Sequence, residues 1–430
     1  MQRTLMMKLL EWKARPSRMP LLLYGARQVG KTYLLQEFGR TCFQDTIYIN
    51  FETDSRLASE FSGDIDPHRL IGVLELYFNR KINPDSTLII LDEIQACERA
   101  LTSLKYFCER APQYPIVAAG SVLGVTVHRN QHSFPVGKVE MLTLYPMDFE
   151  EFLRALGQEA LIDVIREAYA NHAPLPGALH EKALELFKTY LMVGGMPGAV
   201  LAYLKDGRML DALSVQSLIL SSYVADMSKY ASPAETTRIL ACFDSIPAQL
   251  AKENRKFQYK VVKKGGSATI FGPSIDWLVA AGVVLKCDRI EHPFIPLAAH
   301  RDLSAFKLYM ADTGLLLCKS GVPASIMFSG WDNSTFSGAI AENYVAASLK
   351  AKGYPLYYWE SKGTAEIDFI LPRGEEVIPI EVKAGVHTKS RSLGVYRAQY
   401  KPDHVIRISH RNFGVENGIQ AVPMYAVFCM

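Results

Sequence analysis

Long hydrophobic runs are missing from this 430-residue chain. No stretch approaches the roughly 18 consecutive apolar residues of a spanning helix, so no membrane segment is expected. Paired cysteines are missing too. Cys42, Cys97, Cys108, Cys242, Cys287, Cys318 and Cys429 are odd in number and scattered, with no CxxC and no histidines at zinc spacing. That fits reduced thiols in a cytosol and excludes a disulfide framework or zinc finger. An excess of one charge is absent as well: 47 Lys and Arg face 44 Asp and Glu, a net +3. Any surface for a polyanion must therefore be local. The opening MQRTLMMKLLEWK is basic and amphipathic but has neither the apolar block nor the cleavage site of a secretory leader, and a cytoplasmic protein is expected. A hydrophobic content of 49% and a charged content of 21% describe an ordinary folded chain. Its length suggests about three domains of ~100–200 residues.

What is present begins at Leu21-Leu22-Leu23-Tyr24, an apolar run of strand length that ends at a glycine. Gly25-Ala26-Arg27-Gln28-Val29-Gly30-Lys31-Thr32 follows, and then a helical pattern (Tyr33, Leu34, Leu35, Phe38) that Gly39 is expected to stop. This is GxxxxGK[ST] between a strand and a helix, the setting a Walker A phosphate loop requires. Glycines let backbone N–H groups turn inward on a triphosphate, and the helix N-terminus adds partial positive charge. Residues 25–32 are thus candidates to bind ATP. Lys31 would reach the β- and γ-phosphates, and the Thr32 hydroxyl would bind Mg²⁺.

Residues 1–150 read as alternating strands and helices. Strands are expected over Pro20–Tyr24, Thr46–Phe51, Thr87–Leu91, Tyr114–Ala119 and Lys138–Leu144, with helices such as Pro67–Lys81 and Ala100–Arg110 between them. Near-continuous apolar strands separated by helices imply a parallel sheet covered on both faces. The third strand runs into Asp92-Glu93, a Walker B pattern. Asp92 would hold Mg²⁺ through water, and Glu93 would orient or deprotonate the attacking water. The fourth ends at Gly120-Ser121, where the Ser121 hydroxyl would contact the γ-phosphate or the water; small residues at strand ends also serve simply as turn formers.

These residues, with Leu144-Tyr145-Pro146-Met147-Asp148-Phe149-Glu150-Glu151-Phe152-Leu153, Gly194-Gly195-Met196-Pro197 and Asp312-Thr313-Gly314-Leu315-Leu316, resemble a group of prokaryotic AAA+-type ATPases. That group is distantly akin to replication-origin-recognition ATPases and carries a C-terminal domain of unknown function. The resemblance spans nearly the whole chain. It implies an α/β multidomain protein with a P-loop NTPase parallel sheet in order 5-1-4-3-2, Ser121 as sensor, and a homo-oligomer. One position departs: similar proteins have Gly-Arg before the fifth strand, and this chain has Gly137-Lys138. Lysine cannot supply a bidentate fork. Arg110, Arg129 and Arg154 are the candidates for a trans-acting arginine, by proximity in sequence only.

Beyond the ATPase core (1–155), residues 156–225 read as a helical lid broken at Gly194–Gly198. Residues 226–325 carry a helix over Pro233–Phe243, another over Ile246–Glu253, and a basic run of Lys252, Arg255, Lys256, Lys260, Lys263 and Lys264. A helix then opens at Ser267 and ends at Gly282, before strands over Val283–Cys287 and Phe306–Met310. Helices followed by a hairpin suggest a winged helix, with Lys256, Lys260, Lys263 and Lys264 neutralising DNA phosphates. Winged helices also mediate protein contacts, and a lysine run is often a solvated face.

Residues 326–430 hold a second constellation. A helix over Gly338–Lys352 places Glu342 on the face of Val345, Ala346 and Leu349, and an acid on an apolar stripe needs a partner. Strands over Tyr354–Trp359, Ala365–Leu371 and Val377–Lys383 follow, the last two joined at Gly374-Glu375, a pair suited to a type II′ hairpin. In that register Asp368 lies across from Glu381, and facing carboxylates invite a divalent cation. Lys383 shares the face of Glu381 and would stabilise developing phosphorane charge or position water. Glu342, Asp368 and Glu381-Val382-Lys383 resemble the PD-(D/E)xK nuclease constellation. This implies a restriction-endonuclease-like α/β domain that takes Mg²⁺ or Mn²⁺, either as a nuclease or as a nuclease-derived DNA clamp.

Two functions stay open on these residues. One is a Mg²⁺-dependent ATPase that engages DNA, coupled to the C-terminal module. The other is a nucleotide-controlled oligomeric switch that recruits a protein partner through a catalytically silent C-terminal domain.

Overall fold

The computed structural model describes residues 1–121, 134–253, 255–323, 335–361, 365–385 and 391–430. They form two compact units, one of residues 2–145 with 280–282, the other of Met1, 146–279 and 283–430. Among the described residues, no helix is long and apolar enough to cross a membrane.

In the first unit α1 (Leu5–Ala14) precedes β1 (Leu21–Tyr24). Then come α2 (Lys31–Cys42), β2 (Asp45–Asn50), α3 (Ser55–Ser62), α4 (Pro67–Phe78), β3 (Thr87–Asp92), α5 (Glu98–Arg110), β4 (Ile116–Ala119) and β5 (Glu140–Thr143). All five strands pair in parallel in the order β2-β3-β4-β1-β5, the expected 5-1-4-3-2 read from the other edge. Covered on both faces, β3 is buried at every position, whereas edge strand β5 alternates. Leu23 pairs with Ala119 and Leu91 with Ala118. The loop after β1, Asp92 on β3 and Ser121 after β4 therefore reach one edge of the sheet together.

The helix after the loop does not stop at Gly39 but runs to Cys42. Gly39 serves close packing instead, because a Cβ there would press on the side chain of Thr46. Helix α4 likewise ends at Phe78, short of Lys81, because Asn79 adopts a left-handed C-cap with φ 49°.

The second unit opens with helices α6 (Phe149–Ala155), α7 (Glu159–Asn171), α8 (Gly177–Val193), α9 (Pro197–Asp206), α10 (Met209–Tyr230), α11 (Pro233–Leu250), α12 (Tyr259–Val262) and α13 (Ala268–Ala280). The expected break at 194–198 falls between α8 and α9. The two helices expected across 233–253 are one, with Pro247 inside it. Strands β6 (Val284–Ile290) and β7 (Arg301–Met310), helices α14 (Thr313–Lys319) and α15 (Thr335–Ala351), and strands β8 (Tyr357–Glu360), β9 (Glu366–Ile367), β10 (Phe369–Arg373) and β11 (Glu376–Val382) follow. The described chain ends with α16 (Arg391–Tyr400), β12 (Ile406–Ser409), β13 (Gly414–Glu416), β14 (Ile419–Pro423) and a short 3-10 turn.

The hairpin read as a wing is not a free one. β6 pairs antiparallel with β7 but also in parallel with β8, giving a sheet β7-β6-β8-β9 that crosses the expected 325/326 boundary. The other sheet, β10-β11-β12-β14-β13, is mixed, and α15 packs on β6, β7 and β11.

Several motifs that carried the resemblance prove to be packing joints in this unit. Asp148 caps α6 in a capping box with Glu151, accepting from its N–H at 2.8 Å. Gly194-Gly195 meets Asp312-Thr313-Gly314, where Asp312 accepts from Gly195 N at 2.6 Å and from Leu315 N at 2.8 Å. A Cβ at Gly195 would strike the Met147 backbone, and one at Gly314 the Gly194 backbone and the Gln216 amide.

Candidate nucleotide-binding site

The loop between β1 and α2 turns through positive φ at Gly25 (147°), Gln28 (66°) and Gly30 (93°), the backbone of an anion-cradling nest. A Cβ at Gly25 would meet the carbonyl of Leu144, so only glycine fits there. Lys31 lies 7% exposed and donates to the carbonyls of Gly25 and Ala26, both at 2.9 Å. From α1's leading edge, Arg3 donates to Val29 O at 2.8 Å and to Tyr145 O at 2.5 Å, bracing the loop from outside. That brace was not anticipated.

The two acids at the end of β3 separate in role. Asp92 Oδ2 accepts from Thr32 Oγ1 at 2.7 Å and from Tyr48 OH at 2.8 Å, and its Oδ1 from Glu93 N at 3.0 Å. Burial first, and Asp92 beside it, push the Tyr48 phenol up to about 12, so it stays a donor at neutral pH. Glu93 takes a left-handed backbone, φ 49°, and its Oε2 accepts from Ser121 Oγ at 3.0 Å and Gln95 Nε2 at 2.5 Å. Lys31, Thr32, Asp92, Glu93 and Ser121 are thereby gathered at one strand edge; Tyr48 and Gln95 join them without having been foreseen. Tyr48 sits on β2 within Thr46-Ile47-Tyr48-Ile49-Asn50, where only its polar alternation hinted at the site.

The C-terminal acids are arranged differently from the expectation. The hairpin register holds, with Phe369 facing Ile380 and Arg373 facing Glu376 around Gly374 at φ 61°. Asp368 falls just outside the ladder, between β9 and β10, and its Oδ2 accepts from Val382 N at 2.7 Å. Glu381 pairs with Arg407 at 3.1 Å and with Lys383 at 3.3 Å. Glu342 does find a partner for its apolar stripe, but the partner is cationic. Arg255 binds one oxygen, while Lys307 at 3.4 Å and Tyr309 OH at 3.1 Å reach the other. Lys307 is fully buried and also pairs with Glu366. Among the described residues no group of three or more His, Cys, Asp or Glu could hold a metal ion. Two sequence signals pointed to this network: Glu342 on its apolar stripe, and Lys307, a lysine inside the apolar run Phe306–Met310.

Residues 17–153 match the model of an AAA domain. Residues 184–325 and 337–427 match two domains of unknown function, DUF8612 and DUF4143. Among solved structures the chain is similar to the Walker-type ATPase Paby2304 of Pyrococcus abyssi, at 16% identity over 73% of this chain and 94% of that one, with a TM-score of 0.44. It is also similar to the Aeropyrum pernix ORC2 protein in its ADPNP–ADP complexes, at 14% identity, 78% and 90% coverage and a TM-score of 0.36. The Aeropyrum pernix ORC1 protein in complex with DNA is a third, at 15% identity, 74% and 92% coverage and a TM-score of 0.28. No curated protein matches the sequence.

Within the first unit, Lys138 pairs with Glu109 at 3.1 Å, and Arg110 pairs with Asp66 at 3.3 Å and stacks on Tyr106. In the second unit Arg154 donates to Glu150 at 2.5 Å, and Arg129 lies outside the described residues. Of the lysines read as phosphate contacts, Lys256 is bound to Glu360. Lys260, Lys263 and Lys264 are exposed.

Proposed function

We propose that the protein is a Mg²⁺-dependent ATPase whose nucleotide cycle acts on DNA, working as a homo-oligomer. The observation that carries this reading is the 2.7 Å bond from Thr32 to Asp92 beside Lys31 and Glu93. It brings together, beside the phosphate loop, a hydroxyl and a carboxylate of the kind that hold Mg²⁺. Two hard oxygen donors suit Mg²⁺, which fills its remaining positions with phosphate oxygens and water rather than a full protein cage. When bound, the ion neutralises charge on the β- and γ-phosphates. The N–H groups of residues 25–32 and the Lys31 ammonium hold the triphosphate. Glu93 takes the proton of the attacking water, and Ser121 keeps its carboxylate in place.

DNA contact rests on Lys260, Lys263 and Lys264, which are exposed on one short segment. The test is ATPase rate and DNA binding with single-stranded, duplex and branched DNA over a salt series. Stimulation by at least one form and salt-sensitive binding are expected, whereas neither from any form would remove DNA from the account. Reversing Lys260, Lys263 and Lys264 to glutamate should weaken binding and flatten its log–log salt dependence by about 0.9 for each phosphate no longer neutralised. Basal ATPase should not change.

For the C-terminal domain the ion pairs around its acids weigh against DNA cleavage and for a catalytically silent role. Glu342 and Glu381 are already neutralised by Arg255, Lys307 and Arg407, and in this arrangement the set does not fit a Mg²⁺ or Mn²⁺ ion. A nuclease assay with each metal, with and without ATP, decides. No cutting is expected, and cutting that Lys383→Ala abolishes would restore the nuclease reading.

A further inference from the structure

In the ATPase site just proposed, the attacking water has two hydrogens and Glu93 can receive only one. Gln95 stands beside Glu93 on the 3-10 turn Ile94–Ala96 that follows β3, 7% exposed. Its Nε2 donates to Glu93 Oε2 at 2.5 Å. The negative carboxylate fixes the amide's orientation, because the opposite flip would set two acceptors against each other. The remaining amide oxygen, Gln95 Oε1, is buried with no hydrogen-bond partner among the described residues. Leaving a buried acceptor unpaired is costly, so such a group is expected where a ligand supplies the donor.

We infer that Gln95 is a water-positioning residue of the hydrolytic step. Its Oε1 accepts one hydrogen of the attacking water while the other points to the Glu93 carboxylate. The O–H bond facing Glu93 breaks and its proton passes to the carboxylate. The water oxygen bonds to the γ-phosphorus, and the bond from that phosphorus to the bridging oxygen breaks, its electron pair leaving with ADP. Gln95 neither gains nor loses a proton. Its amide does two tasks through one side chain, orienting the base through Nε2 and the nucleophile through Oε1. This rests on the reading of Glu93 as the base.

The experiment compares wild type, Gln95→Leu, Gln95→Met, Glu93→Gln and the double variant Glu93→Gln with Gln95→Leu. Steady-state ATPase and equilibrium binding of a fluorescent ATP analogue are measured on the full chain. Leucine and methionine keep the bulk of the side chain, and analogue binding reports whether the site is folded. Each Gln95 variant should lose about 10²-fold in kcat, with analogue affinity and KM within about twofold of wild type. In the Glu93→Gln background Gln95→Leu should cost no more than about twofold further, because both side chains act on one water. A Gln95→Leu enzyme turning over like wild type while Glu93→Gln is slow would overturn the inference and leave the ATPase reading standing. Parallel losses of binding and turnover in both Gln95 variants would assign the residue a structural role and overturn it too. Normal turnover in Glu93→Gln would remove the base assignment and the inference with it.

Discussion

Thr32 Oγ1 donates a 2.7 Å hydrogen bond to Asp92 Oδ2, tying the first turn of α2 to the tip of β3. Tyr48 OH reaches the same oxygen at 2.8 Å from the neighbouring strand. Two hydroxyls thus fix one carboxylate oxygen, leaving Asp92 a single orientation. Outer-shell partners of this kind commonly set metal affinity. Tyr48→Phe should weaken the Mg²⁺ dependence of ATP binding by about tenfold, the lower end of such effects. Metal-free nucleotide binding should be unchanged. A magnesium titration of ATPase rate measures this, and an unaltered half-saturation would show that Tyr48 does not support the metal site.

Lys31 is held by two loop carbonyls at 2.9 Å. A charge-assisted bond is worth ~1.5–3 kcal/mol, so Lys31→Ala should lower affinity for Mg²⁺–ATP by about 10- to 100-fold. Titration calorimetry reads it directly. Equal affinity in the variant would place the triphosphate elsewhere.

Asp312, at the joint of the second unit, gives a pH signature. Burial pushes its carboxyl up to about 6 from 3.8, opposed by the N–H groups of Gly195, Leu315 and Gly314. Between those values the folded chain holds a proton that the unfolded chain has released. The contribution to stability is therefore full below about pH 4 and is lost as pH rises through about 6, amounting to ~3 kcal/mol at most. Urea melts of wild type and Asp312→Asn should diverge accordingly, with wild type gaining on the variant as pH falls from 7 to 4. Parallel curves would mean that Asp312 titrates alike in both states.

The parts legible in the sequence were those written locally. Strand, glycine loop and helix stand consecutively at residues 21–42, and parallel pairing follows from apolar strands alternating with helices. The 374–375 turn set the hairpin register correctly because turn geometry and pleat are both short-range. Partner choice across the chain was not legible. Glu342 announced that it needed a partner but not that Arg255 and Lys307 would supply it from other segments. Once two cations hold that carboxylate, a pattern that suggests a metal cradle becomes an ion-pair network. Arg3 braces Val29 and Tyr145 from a stretch that offered only an amphipathic pattern. The hairpin at 283–310 looked complete in sequence because nothing local marks the edge where β8 adds.

The most direct test of the central claim is ATP turnover by Glu93→Gln, with ATP binding measured on the same sample. Binding should match wild type while kcat falls by about 10²-fold or more, the loss expected for a missing general base. Turnover equal to wild type, with ATP bound, would contradict the account.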